Sequence, residues 1–335
     1  MSLEAHARPA TDQGQGQGQG GILLACRFDA AEWARWMPAL QAALPGEALW
    51  RLDRPQDWPF DVRQQADVAI VANPLPGALV DCPRLGLVQS LWAGVERLMA
   101  DDSLPEGVTL ARMVDPVMNQ AMAETAHWAV LGLHRRMFDY ARQQQARHWA
   151  AQPQRRADEV PVGVLGLGEM GRTTARRLQQ AGHPVLGWSR RPCELPGVHT
   201  CHGAAGLDRL LASVEILINL LPLTPDTHHL LDAARLDRLP RGAGLVNLAR
   251  GAHVVEADLL AALARGQIGH AVLDVFATEP LPAEHAFWQH PQVTVLPHAA
   301  AQTDPRSAAR LAADNIRAWR QGRPVMHPVD RQAGY

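Results

Sequence analysis

Lysine is missing altogether: the 32 basic residues of this chain are all arginine. That absence removes whole chemistries. A Schiff-base nucleophile, an anchor for pyridoxal phosphate and a phosphate-binding P-loop each need a lysine amine. Cysteine is scarce too. Cys26, Cys82, Cys193 and Cys201 stand apart, without zinc-site spacing, and read as reduced thiols of a cytoplasmic protein. No metal site is expected. No apolar run approaches the ~20 residues that span a bilayer. The N-terminus lacks the basic-then-apolar order of a signal peptide. Charge is almost balanced, at a net -2, so neither nucleic acid nor a membrane is expected as a partner.

What is present suggests two α/β domains in 335 residues. Residues 1–20 end in a Gln/Gly repeat that cannot bury a core and reads as a disordered tail. From Gly21 onward, apolar strand-like runs alternate with helical or loop segments, the pattern of a parallel sheet. Strands are expected at Gly21–Cys26, Ala48–Leu52, Val68–Ala72, Leu85–Leu91 and Val108–Arg112, with a helix over Ala30–Ala43. Met118 to Trp149 reads as one long helix. A second unit begins near Val160, with strands at Ile216–Leu221, Gly244–Leu248, Ala271–Phe276 and Val293–Leu296. A last helix is expected over Pro305–Arg320.

The second unit opens on Val162-Gly163-Val164-Leu165 followed by Gly166-Leu167-Gly168-Glu169-Met170-Gly171. A strand running into G-x-G-x-x-G and then a helix is the dinucleotide-binding fingerprint in its proper context. Gly166 permits the turn, Gly168 lets backbone approach a pyrophosphate, and Gly171 allows helix to pack on strand. The helix start then offers free N–H groups to phosphate. The next strand ends in Ser189-Arg190-Arg191, where an NAD-specific site would carry an acid. These three residues read as a cradle for the 2′-phosphate of NADP. The ordinary alternative is a solvated basic loop.

Three later strand ends carry chemistry: Arg250, Glu279 and His298. In open α/β sheets ligands sit beyond the carboxyl ends of strands, so all three belong at the cofactor edge. Arginine offers a fixed fork of donors to a carboxylate and a keto oxygen. Histidine passes a proton to a developing alkoxide near neutral pH, and a carboxylate beside it favours imidazolium. Each has a bland reading as well. Arg250 would be a sheet-edge ion pair, Glu279 a turn residue before Pro280, and His298 one of 15 histidines, most of them structural.

Taken together, these motifs resemble those of the D-isomer-specific 2-hydroxyacid dehydrogenases. The glyoxylate/hydroxypyruvate reductase A branch is the nearest in look. The segments that say so are Leu91–Glu96, Gly166–Gly171, Trp188–Arg190, Leu221–Thr227, Val246–Glu256, Asp274–Pro282, Trp288–Pro291 and Pro297-His298. The resemblance implies two Rossmann/flavodoxin-like doubly wound parallel-sheet domains with an interdomain active-site cleft. The substrate domain would be 21–117 plus 299–335, with an NAD(P)-binding domain at 118–298 inserted in it.

It also implies roles. Arg250 would bind substrate, His298 would be the general acid of reduction, and Glu279 its partner. Backbone N–H groups of Ala93 and Gly94 would hold the substrate carboxylate, with Trp92 as a wall favouring small substrates. Leu221, Pro222, Thr227, Leu248, Ala249, Arg250, Asp274 and His298 would join Gly166–Gly171 and Ser189–Arg191 around the cofactor. The implied reaction is NADPH-dependent reduction of glyoxylate to glycolate and hydroxypyruvate to D-glycerate, with NADH left open. A homodimer through the nucleotide domain is implied as well, Trp128 and Trp149 lying in core or interface. Two rivals remain: a reductase of a bulkier 2-keto acid such as phenylpyruvate, and a non-enzymatic nucleotide-sensing regulator.

Overall fold

A computed structural model describes residues 20–51, 58–105, 107–331 and 334. The Gln/Gly tail lies outside the described residues except for Gly20. The chain divides into two compact units, one built from residues up to Asp115 and from Thr303 onward, the other from Pro116–Gln302. The division falls a few residues from the sequence boundaries at 117/118 and 298/299.

In the first unit, β1 (Gly21–Cys26), β2 (Leu49–Arg51), β3 (Ala66–Ala72), β4 (Leu87–Ser90) and β5 (Thr109–Ala111) form an all-parallel sheet. Their order is β2-β1-β3-β4-β5. Ile22, Leu23 and Leu24 are all fully buried, as continuous apolar strands covered on both faces must be. Three helices accompany them: α1 (Ala30–Ala43), α2 (Phe60–Gln65) and α3 (Glu96–Met99). A reciprocal cap starts α1: Glu32 N–H donates to Asp29 Oδ1 at 2.7 Å, and Asp29 N–H to Glu32 Oε2 at 2.8 Å. Its Trp33, Trp36, Leu40 and Ala43 recur at helical spacing and form the buried stripe.

The second unit contains α4 (Pro116–His134), α5 (Met137–Gln145), β6 (Val162–Leu165), α6 (Glu169–Gln180), β7 (Val185–Ser189), β8 (His199–His202) and α7 (Gly203–Ser213). It continues through β9 (Ile216–Asn219), α8 (Ala233–Leu236), β10 (Ala243–Asn247), α9 (Glu256–Ala264), β11 (Ile268–Leu273) and β12 (Val293–Val295). All seven strands are parallel, in the order β12-β11-β10-β9-β6-β7-β8. Winding reverses between β6 and β9, which makes their carboxyl ends the switch-point crevice of a doubly wound sheet. The chain then returns to the first unit as α10 (Pro305–Arg320), capped by Asp304 and packed on α1.

The single helix expected over 118–149 is in fact two. Arg136 adopts a left-handed conformation, with φ of 59°, and the chain turns there. Gly132 leaves room for the Phe138 ring, which would lie 2.6 Å from a Cβ at that position. Phe138 in turn stacks on His270 of β11, with centroids 4.4 Å apart. Trp149 lies beyond both helices and is exposed rather than in a core. Among the described residues, no helix is long and apolar enough to cross a membrane.

Arg320 joins the two segments of the first unit. It donates to both Glu47 oxygens at 2.6 Å, to Asp67 at 2.8 and 3.1 Å and to the Gly20 carbonyl at 2.9 Å. All three side chains are largely buried. Arg320→Leu would leave two buried carboxylates without their cation, a loss of about 3–5 kcal/mol. Urea unfolding of the intact chain should place that loss in the first unit; an unchanged midpoint would contradict it.

Candidate active site

The Gly-rich turn follows β6. Gly166 has φ of +94°, and a Cβ there would also stand 2.8 Å from the Leu220 carbonyl oxygen. At Gly171 a Cβ would fall 1.7 Å from the Gly166 carbonyl oxygen, so only glycine lets α6 approach the turn. Gly168 is the N-cap of α6, and no side chain caps the helix start. Glu169 is exposed and Met170 half-buried in its first turn, while Leu167 is buried and its carbonyl accepts from Arg172 Nε at 3.0 Å. An uncapped helix start beside a turn whose two glycines expose backbone suits the pyrophosphate of a dinucleotide.

Ser189 ends β7, next in the sheet to β6. Its hydroxyl donates to the Arg191 carbonyl at 2.6 Å, shaping a tight loop. Arg190 and Arg191 are exposed on that loop. No acidic side chain occupies positions 189–191, so the loop fits an added phosphate better than a bare ribose. Beyond β9, Leu221 and Thr227 are buried. The Thr227 hydroxyl donates to the Pro222 carbonyl at 2.7 Å and closes the loop on itself.

Arg250, Glu279 and His298 come together in the second unit. Leu248 and Ala249, both buried, lead from β10 to Arg250. Gly251 holds this loop against the next one: a Cβ on it would meet the Phe276 carbonyl carbon at 1.9 Å. The loop after β11 folds so that Phe276 N–H donates to Glu279 Oε1 at 3.0 Å. The other carboxylate oxygen, Oε2, lies 2.7 Å from His298 Nδ1. His298 itself sits in the left-handed region, with φ of 52°.

Asp274 is what holds that unusual backbone. It is 1% exposed, and its two oxygens accept from Ala299 N–H at 2.7 Å and Ala300 N–H at 3.0 Å. His298 N–H donates to the Asp274 carbonyl at 2.9 Å. The sequence placed Asp274 with the cofactor residues; in the structure its carboxylate grips the turn that carries His298.

The electrostatics follow from these contacts. The Glu279 hydrogen bond raises the His298 pKa above ordinary histidine, outweighing burial and the Arg250 charge. Burial acts to raise the Glu279 pKa. The His298 hydrogen bond, the Phe276 N–H and the His298 and Arg250 charges overcome it and hold the carboxyl below its usual range. Burial pushes Asp274 up, against the Ala299 and Ala300 amides. A charged imidazolium with Nδ1 anchored on a carboxylate keeps Nε2–H for a reacting oxygen.

Trp92, Ala93 and Gly94 form the turn after β4 in the first unit. The Ser90 hydroxyl pins it, bonding both the N–H and the carbonyl of Trp92 at 3.0 Å. The N–H groups of Ala93 and Gly94 have no acceptor among the described residues. The Trp92 ring packs edge-on to Trp36 and Phe28, at 5.9 and 6.1 Å between centroids. Sequence reasoning gives no role to Asn219, Asn247 and His253, which are buried beneath the strand ends of the second unit. Two apolar strands that each end in asparagine were the available signal.

The sequence model for the D-isomer specific 2-hydroxyacid dehydrogenase NAD binding domain matches residues 127–300. Glyoxylate/hydroxypyruvate reductase A of Klebsiella pneumoniae (strain 342) is 40% identical over 313 residues, 92% of this chain and 97% of the relative. Among solved structures, a D-isomer specific 2-hydroxyacid dehydrogenase from Xanthobacter autotrophicus Py2, in complex with NADPH and MES, is 39% identical. It superposes with a TM-score of 0.87 over 95% of this chain and 100% of its own. An NADPH-dependent glyoxylate/hydroxypyruvate reductase from Sinorhizobium meliloti, in complex with NADP and sulfate, is 34% identical. Its TM-score is 0.88 over the same shares.

The His298–Glu279 contact makes a pH prediction. The charged pair is intact between the lowered Glu279 value and the raised His298 value. What it adds to folding through His298 is fully present below the free-histidine pKa and is lost as pH rises through the raised one. Glu279→Gln should therefore move the His298 titration toward acid, since the hydrogen bond that raises it is weakened. NMR titration of the ring reads this directly; an unmoved midpoint would show that Glu279 does not set it.

Proposed function

This chain belongs to the D-isomer specific 2-hydroxyacid dehydrogenase family and is an NAD(P)-dependent oxidoreductase, and from that premise we propose that it reduces small 2-keto acids with NADPH. Glyoxylate would give glycolate, and hydroxypyruvate D-glycerate. The observation that carries the reading is the 2.7 Å contact between His298 Nδ1 and Glu279 Oε2, beside the loop of Arg250.

When bound, the reduced nicotinamide supplies a hydride to the keto carbon. The chain's own residues do the rest. His298, charged and oriented by Glu279, gives the Nε2 proton to the oxygen as the carbonyl becomes an alkoxide. Arg250 holds and polarises the keto acid through its planar fork of donors. In the first unit, the Ala93 and Gly94 N–H groups are assigned the substrate carboxylate, and the Trp92 ring favours a small substrate. Ser189, Arg190 and Arg191 are assigned the 2′-phosphate. The bound forms of the Xanthobacter and Sinorhizobium relatives support NADPH as the cofactor.

The proposal extends to a cytoplasmic homodimer joined through the second unit. In its support, Trp128, Leu131 and Met137 leave apolar surface exposed on α4 and α5. Sedimentation should then give about twice the chain mass of 36.6 kDa, and a monomer at micromolar concentration would remove this part.

Initial rates with glyoxylate, hydroxypyruvate and phenylpyruvate, each against NADPH and NADH, test the main reading. The two small acids with NADPH should give the highest kcat/KM, and preference for phenylpyruvate or NADH would overturn it. Reduction should fall as pH rises through the raised His298 value, because the acid form is then lost. His298→Asn should bind NADPH normally yet lose turnover by about 100-fold or more; retained turnover would remove His298 from the chemistry.

A further inference from the structure

Asn219, Asn247 and His253 take no direct part in the chemistry above, yet all three are buried, at 0%, 1% and 0% exposure. Asn219 ends β9 and Asn247 ends β10, and the two are register partners across the sheet. The Asn219 amide nitrogen donates to Asn247 Oδ1 at 3.0 Å and stands 3.0 Å from His253 Nδ1. An amide nitrogen only donates, so Nδ1 is the acceptor in this contact. The ring proton is then on Nε2, which donates to the Pro222 carbonyl at 3.2 Å.

The remaining capacity is spent on backbone. Asn219 Oδ1 accepts from Leu221 N–H at 3.3 Å. Asn247 Oδ1 accepts from Ala249 N–H at 3.3 Å, and its amide donates to the Arg250 carbonyl at 3.0 Å. Two loops therefore hang on one buried network: Leu221–Pro222 from β9, and Ala249–Arg250 from β10.

We infer that His253 is a positioning residue, a neutral imidazole that fixes the Pro222 loop to the Arg250 turn so that both are presented as one rigid edge. The inference rests on the proposed roles of those loops, Pro222 toward NADPH and Arg250 toward the keto acid. A second ring proton would set N–H against N–H at Asn219, replacing the contact with a repulsion. A leucine would fill much of the space, yet leave the Asn219 amide short of an acceptor and the Pro222 carbonyl short of a donor. Glutamine carries an acceptor and a donor on one planar group and can restore both.

The experiment compares wild type, His253→Leu and His253→Gln. Fluorescence titration gives the NADPH Kd, initial rates give the glyoxylate KM and kcat, and circular dichroism reports folding. His253→Leu should raise the NADPH Kd and the glyoxylate KM together, each about tenfold or more, since small misplacements of binding groups cost that much. His253→Gln should recover most of both. A folded leucine variant with wild-type constants, or a glutamine variant no better than leucine, overturns the inference.

Should the leucine variant fail to fold, the ¹⁵N spectrum of His253 in wild type decides. A ring that stays singly protonated through the range where free histidine titrates supports the inference, and one that takes a second proton overturns it. If wild type does not reduce glyoxylate, the substrate reading falls. The NADPH Kd of the two variants still tests the role of His253.

Discussion

Parallel strand direction is the constraint on which the second unit depends. With all seven strands running one way, every strand delivers its carboxyl end to the same edge. Residues as distant in sequence as Gly166 and His298 therefore share that edge without any special device. What the sequence must still supply is loop geometry, and it does so through close backbone approach. Gly171 admits the Gly166 carbonyl, and Gly251 admits the Phe276 carbonyl. A methyl group at either place would push apart elements that the site needs together.

Charge is arranged on the same edge with some economy. Glu279 raises the pKa of His298, and His298 lowers that of Glu279, so each stabilises the ionised form of the other. Asp274, only a few residues before Glu279, has its oxygens committed to backbone amides instead. Two neighbouring carboxylates thus serve different ends, one tuning the ring and the other holding the turn that carries it. The difference lies in burial and partners, not in residue type.

Much of this was legible in the sequence wherever the cause is local. The glycines of the 166–171 turn appear as letters because backbone geometry demands them. Helices α1 and α10 begin where Asp29 and Asp304 cap them, and both were read at their observed limits. The break at Arg136 was not legible: no glycine or proline marks the left-handed turn there, and the Phe138–His270 stack just beyond it is made across the fold. Nor was β8, a polar edge strand that exists by pairing with β7. The last expected strands ran long or late because buried apolar residues such as Val275 and Phe276 continue past the end of β11. The Arg250, Glu279 and His298 positions were readable from strand ends. The network of Asn219, Asn247 and His253 was not, since its members are joined only by tertiary contact.

The return of α10 to the first unit sets an order of events during synthesis. Residues 116–302 are contiguous, so the second unit has its whole chain once Gln302 has been made. The first unit, although begun earlier, still lacks the helix that packs on α1 and the arginine that neutralises Glu47 and Asp67. Domains of a chain under synthesis commonly fold from the N-terminus forward. Here the N-terminal segment must wait, its α1 face and two carboxylates uncovered, until residues 305–320 arrive. The inserted unit is thus the one free to fold first, and the surrounding one closes last.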